Sequence, residues 1–322
     1  MKVAILGGGG CFAINFANYL ASDGIDHFGI GRSGLKIPAF WQVDHYYKYH
    51  KLHLVDQLSA VIAVLDTERP NVIVNYAAQG EGAASFNDNA PDYFETNCVA
   101  LTRLVCELRK RPYIKRFIQI GSSEVYGSPA SPAKETDLLD PTSPYSISKA
   151  AFDLYLQSMW RTAKFPMNIV RPSNCYVEGQ QLHRVIPKTI IAAMKGTKLP
   201  LHGGGKAEKS YMHAMDLSSA VHLIMHSAPL GATYNVGPDE PISIRDLVSK
   251  VAITMGMAPE DLIEDVPDRV GQDSKYHLDC SLIKELGWRI GISLESGLKG
   301  MVNWVKRHPE LLEAETTYKH RR

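Results

Sequence analysis

The sequence predicts an α/β protein in which a doubly wound parallel sheet is followed by a smaller α/β lobe. Short, almost wholly apolar runs alternate with helical patterns through the first half of the chain. Apolar strands that are each followed by a helix are typical of a parallel sheet covered on both faces. A glycine-rich turn separates the first apolar run from the first helix. After residue 171 the alternation loosens and Pro, Gly and His become frequent, which indicates the separate lobe.

The individual elements follow from these runs. Strands are predicted at residues 3–6, 27–30, 72–76, 117–120 and 168–170. Helices are predicted near residues 14–21, 58–66, 93–110 and 146–163, and in the lobe near 187–195, 215–227, 243–256 and 293–307. We expect a first domain at residues 1–171 and the lobe at residues 172–322. The boundary is soft, because part of the later segment is expected to return to the main sheet.

Composition and charge exclude several classes of function. The chain has 322 residues, 45% of them apolar, and its 35 Lys and Arg nearly balance 34 Asp and Glu. No net field therefore favours nucleic acid or a membrane surface. No run approaches the roughly 20 apolar residues of a membrane span. The five cysteines form no CxxC pair, and we expect reduced thiols in a soluble, cytoplasmic protein.

The turn after the first strand has the spacing of a phosphate-binding loop. Gly7, Gly10 and Ala13 follow a GxxGxxG spacing within GGGGCFA. Gly7 permits the tight turn, and Gly10 lets the backbone approach a pyrophosphate at the helix N-terminus. Glycine-rich turns are common by themselves, but this one follows the first strand and heads the alternating pattern. The sequence therefore predicts a dinucleotide-binding domain at residues 1–171.

The end of the second strand favours one form of the cofactor. An acidic residue there binds the ribose 2′-hydroxyl of NAD, whereas Arg accommodates the 2′-phosphate of NADP. The run here is Gly31-Arg32-Ser33, without a carboxylate. We expect NADP(H), with Arg32 at the phosphate or the adenine, and NAD as the alternative.

Two short motifs indicate the chemistry. Tyr145 and Lys149 share one face of a predicted helix. A free Tyr has a pKa near about 10, and nearby positive charge favours its phenolate. Ser122 and Glu124 stand where a strand ends, at the edge where open α/β sheets bind ligands. In an extended strand Ser122 and Glu124 would share a face and Ser123 would point away.

In combination these motifs resemble the extended short-chain dehydrogenase/reductase superfamily, in its NAD-dependent epimerase/dehydratase family. The resemblance covers nearly the whole chain and is strongest to the nucleotide-sugar 4,6-dehydratases. Residues 75–79 with 85–86, and Ser122-Ser123-Glu124, resemble the GDP-mannose 4,6-dehydratases. Residues 171–176 and 268–273 resemble the substrate-binding segments of the dTDP-glucose 4,6-dehydratases.

The resemblance implies a Rossmann-type fold, a tightly bound cofactor that is regenerated in each turnover, and a set of site residues. The implied catalytic residues are Ser122, Ser123, Glu124, Tyr145 and Lys149. The implied cofactor contacts are Gly7, Gly10, Cys11, Phe12, Arg32, Ala77, Ala78, Gln79, Asn97, Tyr145, Lys149 and Pro172. The implied substrate contacts are Ser85, Ser122, Asn174, Arg184, Lys209 and Arg269, and no metal is implied.

The resemblance also implies a mechanism on a GDP- or dTDP-hexose. Tyr145, as phenolate, removes the 4-hydroxyl proton while C4 gives up hydride, and Ser122 and Lys149 assist. Glu124 takes the C5 proton, water leaves from C6, and hydride returns to C6. Ser123 stands where other 4,6-dehydratases carry an Asp proton donor, so Glu124 is expected to act as both base and acid.

Other outcomes remain open on the same fold. The trio of Ser122, Tyr145 and Lys149 is shared by sugar epimerases and by 4-keto-sugar reductases, and Ser-Glu-Val-Tyr-Gly also occurs in nucleotide-uronate decarboxylases. A non-catalytic cofactor-binding protein is a further alternative, although such proteins typically lose the Tyr–Lys pair. Glu81 and residues 177–178 depart from the family pattern and leave the sugar undetermined. A homodimer is implied through the helices near 93–110 and 146–163.

Overall fold

The computed structural model describes residues 1–34, 47–80, 85–86, 89–267, 274–318 and 320. Its strands, in chain order, are β1 (Lys2–Leu6), β2 (Asp26–Gly31), β3 (Lys48–Lys51), β4 (Val72–Asn75), β5 (Arg116–Ile120), β6 (Met167–Pro172), β7 (Asn174–Tyr176), β8 (Leu199–His202), β9 (Glu208–Lys209), β10 (Tyr211–His213), β11 (Thr233–Val236), β12 (Ile242–Ser243), β13 (Ile263–Val266) and β14 (Lys275–Tyr276). Its α-helices are α1 (Cys11–Ser22), α2 (Leu58–Glu68), α3 (Ala90–Phe94), α4 (Ala100–Leu108), α5 (Pro144–Ala163), α6 (Val185–Lys195), α7 (Ala214–Ser227), α8 (Ile244–Thr254), α9 (Pro259–Leu262), α10 (Ser281–Glu285) and α11 (Leu294–Arg307).

The main sheet has seven strands in the order β11-β6-β5-β4-β1-β2-β3, and every neighbouring pair is parallel. The prediction of a doubly wound parallel sheet is confirmed. The sequence pattern does not predict β3 and β11, which form the two edges of the sheet. The β3 sequence, KYHK, is polar because an edge strand is not enclosed on both sides.

Helices cover both faces of this sheet. On one face α1 and α7 pack through Phe16, Leu20, Val221 and Ile224. On the other face α2, α4 and α5 supply fully buried side chains, namely Val61, Leu65, Leu101, Leu104, Phe152 and Leu156. The carboxyl ends of β1, β4 and β5 therefore remain the open edge of the sheet, where ligands bind in this architecture.

The predicted helix at residues 93–110 is interrupted. It consists of α3, a π-helical turn at Glu95–Val99 and α4. An i→i+5 turn adds a residue to the helical ladder and is frequent at functional sites. Here the turn carries Asn97, whose side chain is fully buried.

The lobe is made of small sheets around a second core. β7 pairs with β10, β9 lies between β12 and β14, and β8 pairs with β13. α6, α8 and α11 enclose a core that contains Ile190, Val251 and Met301. β11 runs from this part of the chain back to the main sheet, and the domain boundary at residue 171 stays a prediction. Among the described residues, no helix combines the length and apolar character that crossing a membrane requires.

Candidate active site

The glycine turn after β1 makes a close backbone approach to the loop after β4. Gly7 has φ 70°, and a Cβ added to it would lie 2.5 Å from the Ala77 amide nitrogen. Gly10 donates its N–H to the Gly7 carbonyl at 2.9 Å and precedes α1 in an extended conformation. No described side chain caps the first N–H groups of α1. These donors and the positive end of the helix dipole fit a pyrophosphate.

A cleft of about 810 Å³ opens over this turn and separates the main sheet from the lobe. The predicted site residues that line it are Gly7, Gly10, Arg32, Ala77, Ala78, Gln79 and Arg184. Its size suits a dinucleotide and part of a second ligand, since ligand clefts commonly measure about 300–1,000 Å³. Cys11 and Phe12 form the first turn of α1 beside it, and Pro172 ends β6.

Arg32 lines the cleft at the end of β2, together with Ser33. His53 and Asp56 line an adjoining cleft with these two residues, and the His53 ring lies 2.6 Å from the Asp56 carboxylate. Tyr49 supports this end from β3, because its hydroxyl donates to the Ser33 carbonyl at 2.7 Å. Its ring packs so closely on β2 that a Cβ at Gly31 would lie 2.5 Å from the Tyr49 oxygen.

Asn97 supports Gln79, which lines the cleft, through two hydrogen bonds to its backbone. Its carboxamide accepts from the Gln79 N–H at 2.7 Å and donates to the Gln79 carbonyl at 3.0 Å. The same amide donates to the Ser148 hydroxyl at 3.0 Å. The buried Asn97 side chain thus joins the loop after β4 to α5, where Ser148 lies between the predicted catalytic pair. Its predicted contact with the cofactor stays a prediction.

α5 carries Tyr145 and Lys149, neither of which is among the residues that line the cleft. Ser143 and Ser146 form a capping box at its start, and Pro144 occupies the first turn. The Tyr145 N–H donates to the hydroxyl of the fully buried Ser85 at 3.1 Å. Lys149 is buried and donates to the Ile120 carbonyl at 2.6 Å. This bond ties α5 to the end of β5, two residues before Ser122.

The Lys149 ammonium is unusually acidic. Burial lowers its pKa, the nearby Asp153 carboxylate offsets part of this effect, and the net pKa is about 8. The positive charge of Lys149 favours the anionic form of a neighbouring phenol. Lys149 follows Tyr145 by one helical turn, and its role in supporting a tyrosinate base stays a prediction.

The segment after β5 differs from the extended strand expected at Ser122 and Glu124. The strand ends at Ile120, and Ser123–Tyr126 form a 3₁₀ turn. The shared-face argument for Ser122 and Glu124 is therefore wrong. The Ser122 hydroxyl accepts from the Glu124 N–H at 3.2 Å and closes the turn. Because this bond uses an oxygen lone pair, the hydroxyl hydrogen of Ser122 remains to donate to a ligand. Ser123 is buried within the turn.

The lobe presents polar groups of its own. Asn174 begins β7, and its side-chain oxygen is buried without a hydrogen-bond partner among the described residues. Ser210 immediately precedes the adjacent strand β10, and its hydroxyl is also buried without a partner among the described residues. The Lys209 ammonium lies 4.7 Å from the centre of the Tyr276 ring. Arg184 precedes α6 beside Cys11: burial raises the pKa of Cys11 to about 11, and the Arg184 charge lowers it in part. Arg269 lies outside the described residues.

The C-terminal segment was not expected at this site. Glu315, Thr317 and Tyr318 line the cleft. The Tyr318 hydroxyl lies 3.3 Å from that of the fully buried Tyr93, and the His320 ring lies 2.9 Å from the Asp92 carboxylate. The ring of Tyr93 contacts that of Tyr145 edge-on, with centroids 6.4 Å apart. Residues more than 220 positions apart thus meet beside α5, and no sequence pattern signals the contact.

In the described part of the chain, no group of three or more His, Cys, Asp or Glu side chains could hold a metal ion. His222 and His226 lie one helical turn apart on α7, and both rings have partners within the protein. The His222 ring lies 2.8 Å from the Asp23 carboxylate, and the His226 ring lies 2.9 Å from the His222 carbonyl. A dinucleotide loop, a Tyr–Lys helix face and a Ser–Glu turn define a nicotinamide-dependent enzyme site.

Comparison with known proteins agrees with this class. The NAD dependent epimerase/dehydratase family matches residues 3–237, and the chain belongs to this family. A trifunctional UDP-glucose 4,6-dehydratase/UDP-4-keto-6-deoxy-D-glucose 3,5-epimerase/UDP-4-keto-L-rhamnose-reductase of Arabidopsis thaliana is 32% identical over 77% of this chain, which spans only 38% of that longer protein. A dTDP-glucose 4,6-dehydratase of Haemophilus influenzae is 31% identical over 80% of this chain and 82% of its own length. The crystal structure of dTDP-glucose 4,6-dehydratase from Bacillus anthracis in complex with NAD has a TM-score of 0.87 and 27% identity, and covers 96% of this chain and 98% of its own.

Proposed function

We propose that this protein is a nucleotide-sugar 4,6-dehydratase. One observation carries the proposal: the Lys149–Ile120 bond joins the Tyr–Lys face of α5 to the strand end that bears Ser122 and Glu124. The named relatives support it, since two of those cited are called dTDP-glucose 4,6-dehydratases and the plant relative contains a UDP-glucose 4,6-dehydratase. The substrate is proposed to be a dTDP- or GDP-hexose.

The residues divide the first half of the reaction among them. A bound nicotinamide would supply a reversible hydride acceptor for C4 and C6. Tyr145 accepts the proton of the 4-hydroxyl, and the hydroxyl hydrogen of Ser122 bonds the same oxygen. Lys149 stabilises the phenolate by its charge.

Glu124 is proposed to carry the elimination. The 4-keto group acidifies the C5 hydrogen, which the Glu124 carboxylate removes while the C6 hydroxyl leaves as water. Because Ser123 is buried and has no carboxyl group, Glu124 is also the proton donor to the leaving hydroxyl. C5 takes up one proton in exchange for the one that Tyr145 removed from the 4-hydroxyl, and hydride would return to C6, so the net change is the loss of one water.

The lobe, mainly residues 172–322, is proposed to bind the nucleotide diphosphate. Asn174, Arg184 and Lys209 would supply donors and positive charge, with Arg269 as a fourth group. The Asn174 side-chain oxygen is buried without a partner among the described residues, and because it is an acceptor it supports a ligand group that donates a hydrogen bond here, such as a hydroxyl of the nucleotide sugar. Lys209 gives up the bidentate geometry that Arg would provide.

NADP(H) is proposed as the preferred cofactor. Arg32 and Ser33 line the end of the cleft, and the described part of β2 ends without a carboxylate. The solved relative contains NAD, so the two cofactors need a direct comparison. Isothermal titration of the cofactor-free protein should give a lower Kd for NADP⁺ than for NAD⁺, and Arg32→Ala should remove the difference. Tighter binding of NAD⁺ by the native protein would reject the preference.

The outcome of the reaction is tested by mass. The protein, with its co-purified cofactor, is incubated with dTDP-glucose, GDP-mannose, UDP-glucose and UDP-glucuronate, and the products are weighed by mass spectrometry. Loss of one water supports the dehydratase. Loss of carbon dioxide indicates a uronate decarboxylase, an unchanged mass with altered sugar chromatography an epimerase, and a gain of two hydrogens from a 4-keto sugar a reductase. A Tyr145→Phe protein is the matched inactive control.

A homodimer in the cytoplasm completes the proposal. Ile147 and Leu154, two turns apart on α5, leave 41% and 52% of their surface exposed, which supports an apolar contact along this helix. The five free thiols are compatible with a reducing compartment. Sedimentation velocity at micromolar concentration would give a dimer, and a monomer would reject this part of the proposal.

A further inference from the structure

A buried ion pair lies one helical turn beyond Lys149 and plays no part in lining the cleft. Arg171 on β6 donates from Nε to Asp153 Oδ2 at 2.9 Å, and the two side chains are 1% and 0% exposed. Asp153 is four residues after Lys149 on α5, so both lie on one face of the helix. Burying two charges costs much of what their attraction returns, so such a pair is weak evidence of a purely stabilising role.

The two members of the ion pair differ in how many of their polar atoms are hydrogen-bonded. Arg171 also donates to the Tyr126 hydroxyl at 2.7 Å, and Tyr126 in turn donates to the Asn235 side chain at 2.9 Å. Asp153 Oδ1, in contrast, is buried and has no hydrogen-bond partner among the described residues. Lys149 donates to the neutral Ile120 carbonyl. Asp153 Oδ1 is therefore the carboxylate oxygen that the Arg171 bond leaves unengaged, on the same helix face as Lys149.

The pair is packed against the backbone that forms the catalytic turn. A Cβ added to Gly121 would lie 3.3 Å from Arg171 Cγ and 3.4 Å from Asp153 Oδ2. Gly121 connects Ile120, which accepts the Lys149 hydrogen bond, with Ser122. The ion pair, the acceptor of Lys149 and Ser122 thus form one closely packed unit.

We propose that Asp153 is a positioning residue of this active site: its buried carboxylate keeps Lys149 protonated, and Arg171 fixes the carboxylate in place. The proposal rests on the role of Lys149 in the function proposed above. The other ionisable groups around the unit are Tyr145 on α5, Tyr126 behind Arg171, and Glu135, which accepts the Asn235 N–H at 2.8 Å. The opposing effects of burial and of Asp153 on the pKa of Lys149 are consistent with this role.

The test is the pH dependence of cofactor binding, which needs no sugar turnover. The probe is NADP⁺ or NAD⁺, whichever the native protein binds more tightly, and Kd is measured from pH 6 to 10. Native protein should bind the cofactor more weakly as pH rises through the pKa of Lys149. This loss of affinity at high pH is the alkaline limb of the binding curve, and Lys149→Met should lack it. Asp153→Asn should move the limb about one pH unit lower, because an opposite charge is removed from a buried cation.

Two further variants separate the effect of the Asp153 charge from a general effect on packing or folding. Tyr126→Phe removes a hydrogen bond from Arg171 without changing any charge, and its limb should match that of the native protein. Asp153→Asn with Arg171→Gln replaces the ion pair by a neutral pair, so it avoids an isolated buried guanidinium and should keep the lowered limb. It substitutes for the single variant if Asp153→Asn does not fold.

Three results would overturn the proposal. The first is loss of cofactor affinity by the Asp153 variants at the same pH as the native protein, the second is a shift of that pH in Tyr126→Phe as large as in Asp153→Asn, and the third is an alkaline limb that persists in Lys149→Met. Failure of the dehydratase assay with every sugar would defeat the proposed function and leave this binding result intact.

Discussion

Gly7→Ala tests whether the close approach of the first loop to β4 shapes the cofactor site. Gly7 has φ 70°, and an added Cβ would lie 2.5 Å from the Ala77 nitrogen and 2.7 Å from its Cα. A left-handed conformation costs an L-residue about 1–2 kcal/mol. Overpacking against atoms that cannot rotate away costs about 1–3 kcal/mol more. The variant should therefore lose about 2–5 kcal/mol of unfolding free energy, the sum of these two terms.

Gly24→Ala is the matched control. Gly24 has φ 67°, but no described atom lies within 4 Å of its added Cβ, so it should lose only the first of the two amounts. Urea denaturation of the cofactor-free proteins measures the stability, and isothermal titration measures the cofactor Kd. Gly7→Ala should weaken cofactor binding at least tenfold, about 1.4 kcal/mol, and Gly24→Ala should leave it unchanged. Equal losses of stability with equal Kd values would refute the reasoning.

Four other variants test separate parts of the site. Glu124→Gln should retain transient C4 oxidation, seen as absorbance of the reduced cofactor at 340 nm, and lose the elimination; undiminished water loss would refute its role. Asn97→Ala removes three buried hydrogen bonds and should cost about 2–4 kcal/mol in urea denaturation; native stability would contradict this. Tyr318→Ala should speed cofactor release in stopped-flow fluorescence, whereas an unchanged rate would mean that the C-terminal segment does not cover the ligand. Leu154→Glu should shift sedimentation to the monomer, and a persistent dimer would exclude this face of α5.

The elements that the sequence predicts are those whose pattern is local. β1, β4 and β5 are buried on both faces, so each is a short apolar run that alternates with helices. β3 and β11 escape prediction because each pairs on one side only and can hold polar residues such as those of KYHK. The π-helical turn at Glu95–Val99 also escapes, since its apolar spacing differs little from that of an α-helix.

The same distinction holds for the site. The glycine turn and the Tyr145–Lys149 pair each lie within one element, where residue spacing alone determines which groups share a face. Ser122 follows the end of β5, and its role stays a prediction, but the extended geometry considered for Ser122 and Glu124 does not continue past Ile120. A partly buried hydrogen bond from the Glu124 N–H to Ser122 favours a 3₁₀ turn, and alternation of side chains cannot reveal it.

The sequence by itself determined the class of fold, the phosphate-binding loop and the pairing of a phenol with a lysine, because turn chemistry and helical periodicity act over a few residues. Only the tertiary structure decided that Asn97 anchors the Gln79 loop, that Asp153 and Arg171 lie behind Lys149, and that the C-terminal segment reaches the cleft. These contacts join residues 18 to 241 positions apart. They depend on how strands are ordered and on which buried polar groups must find partners, and the whole chain fixes both at once.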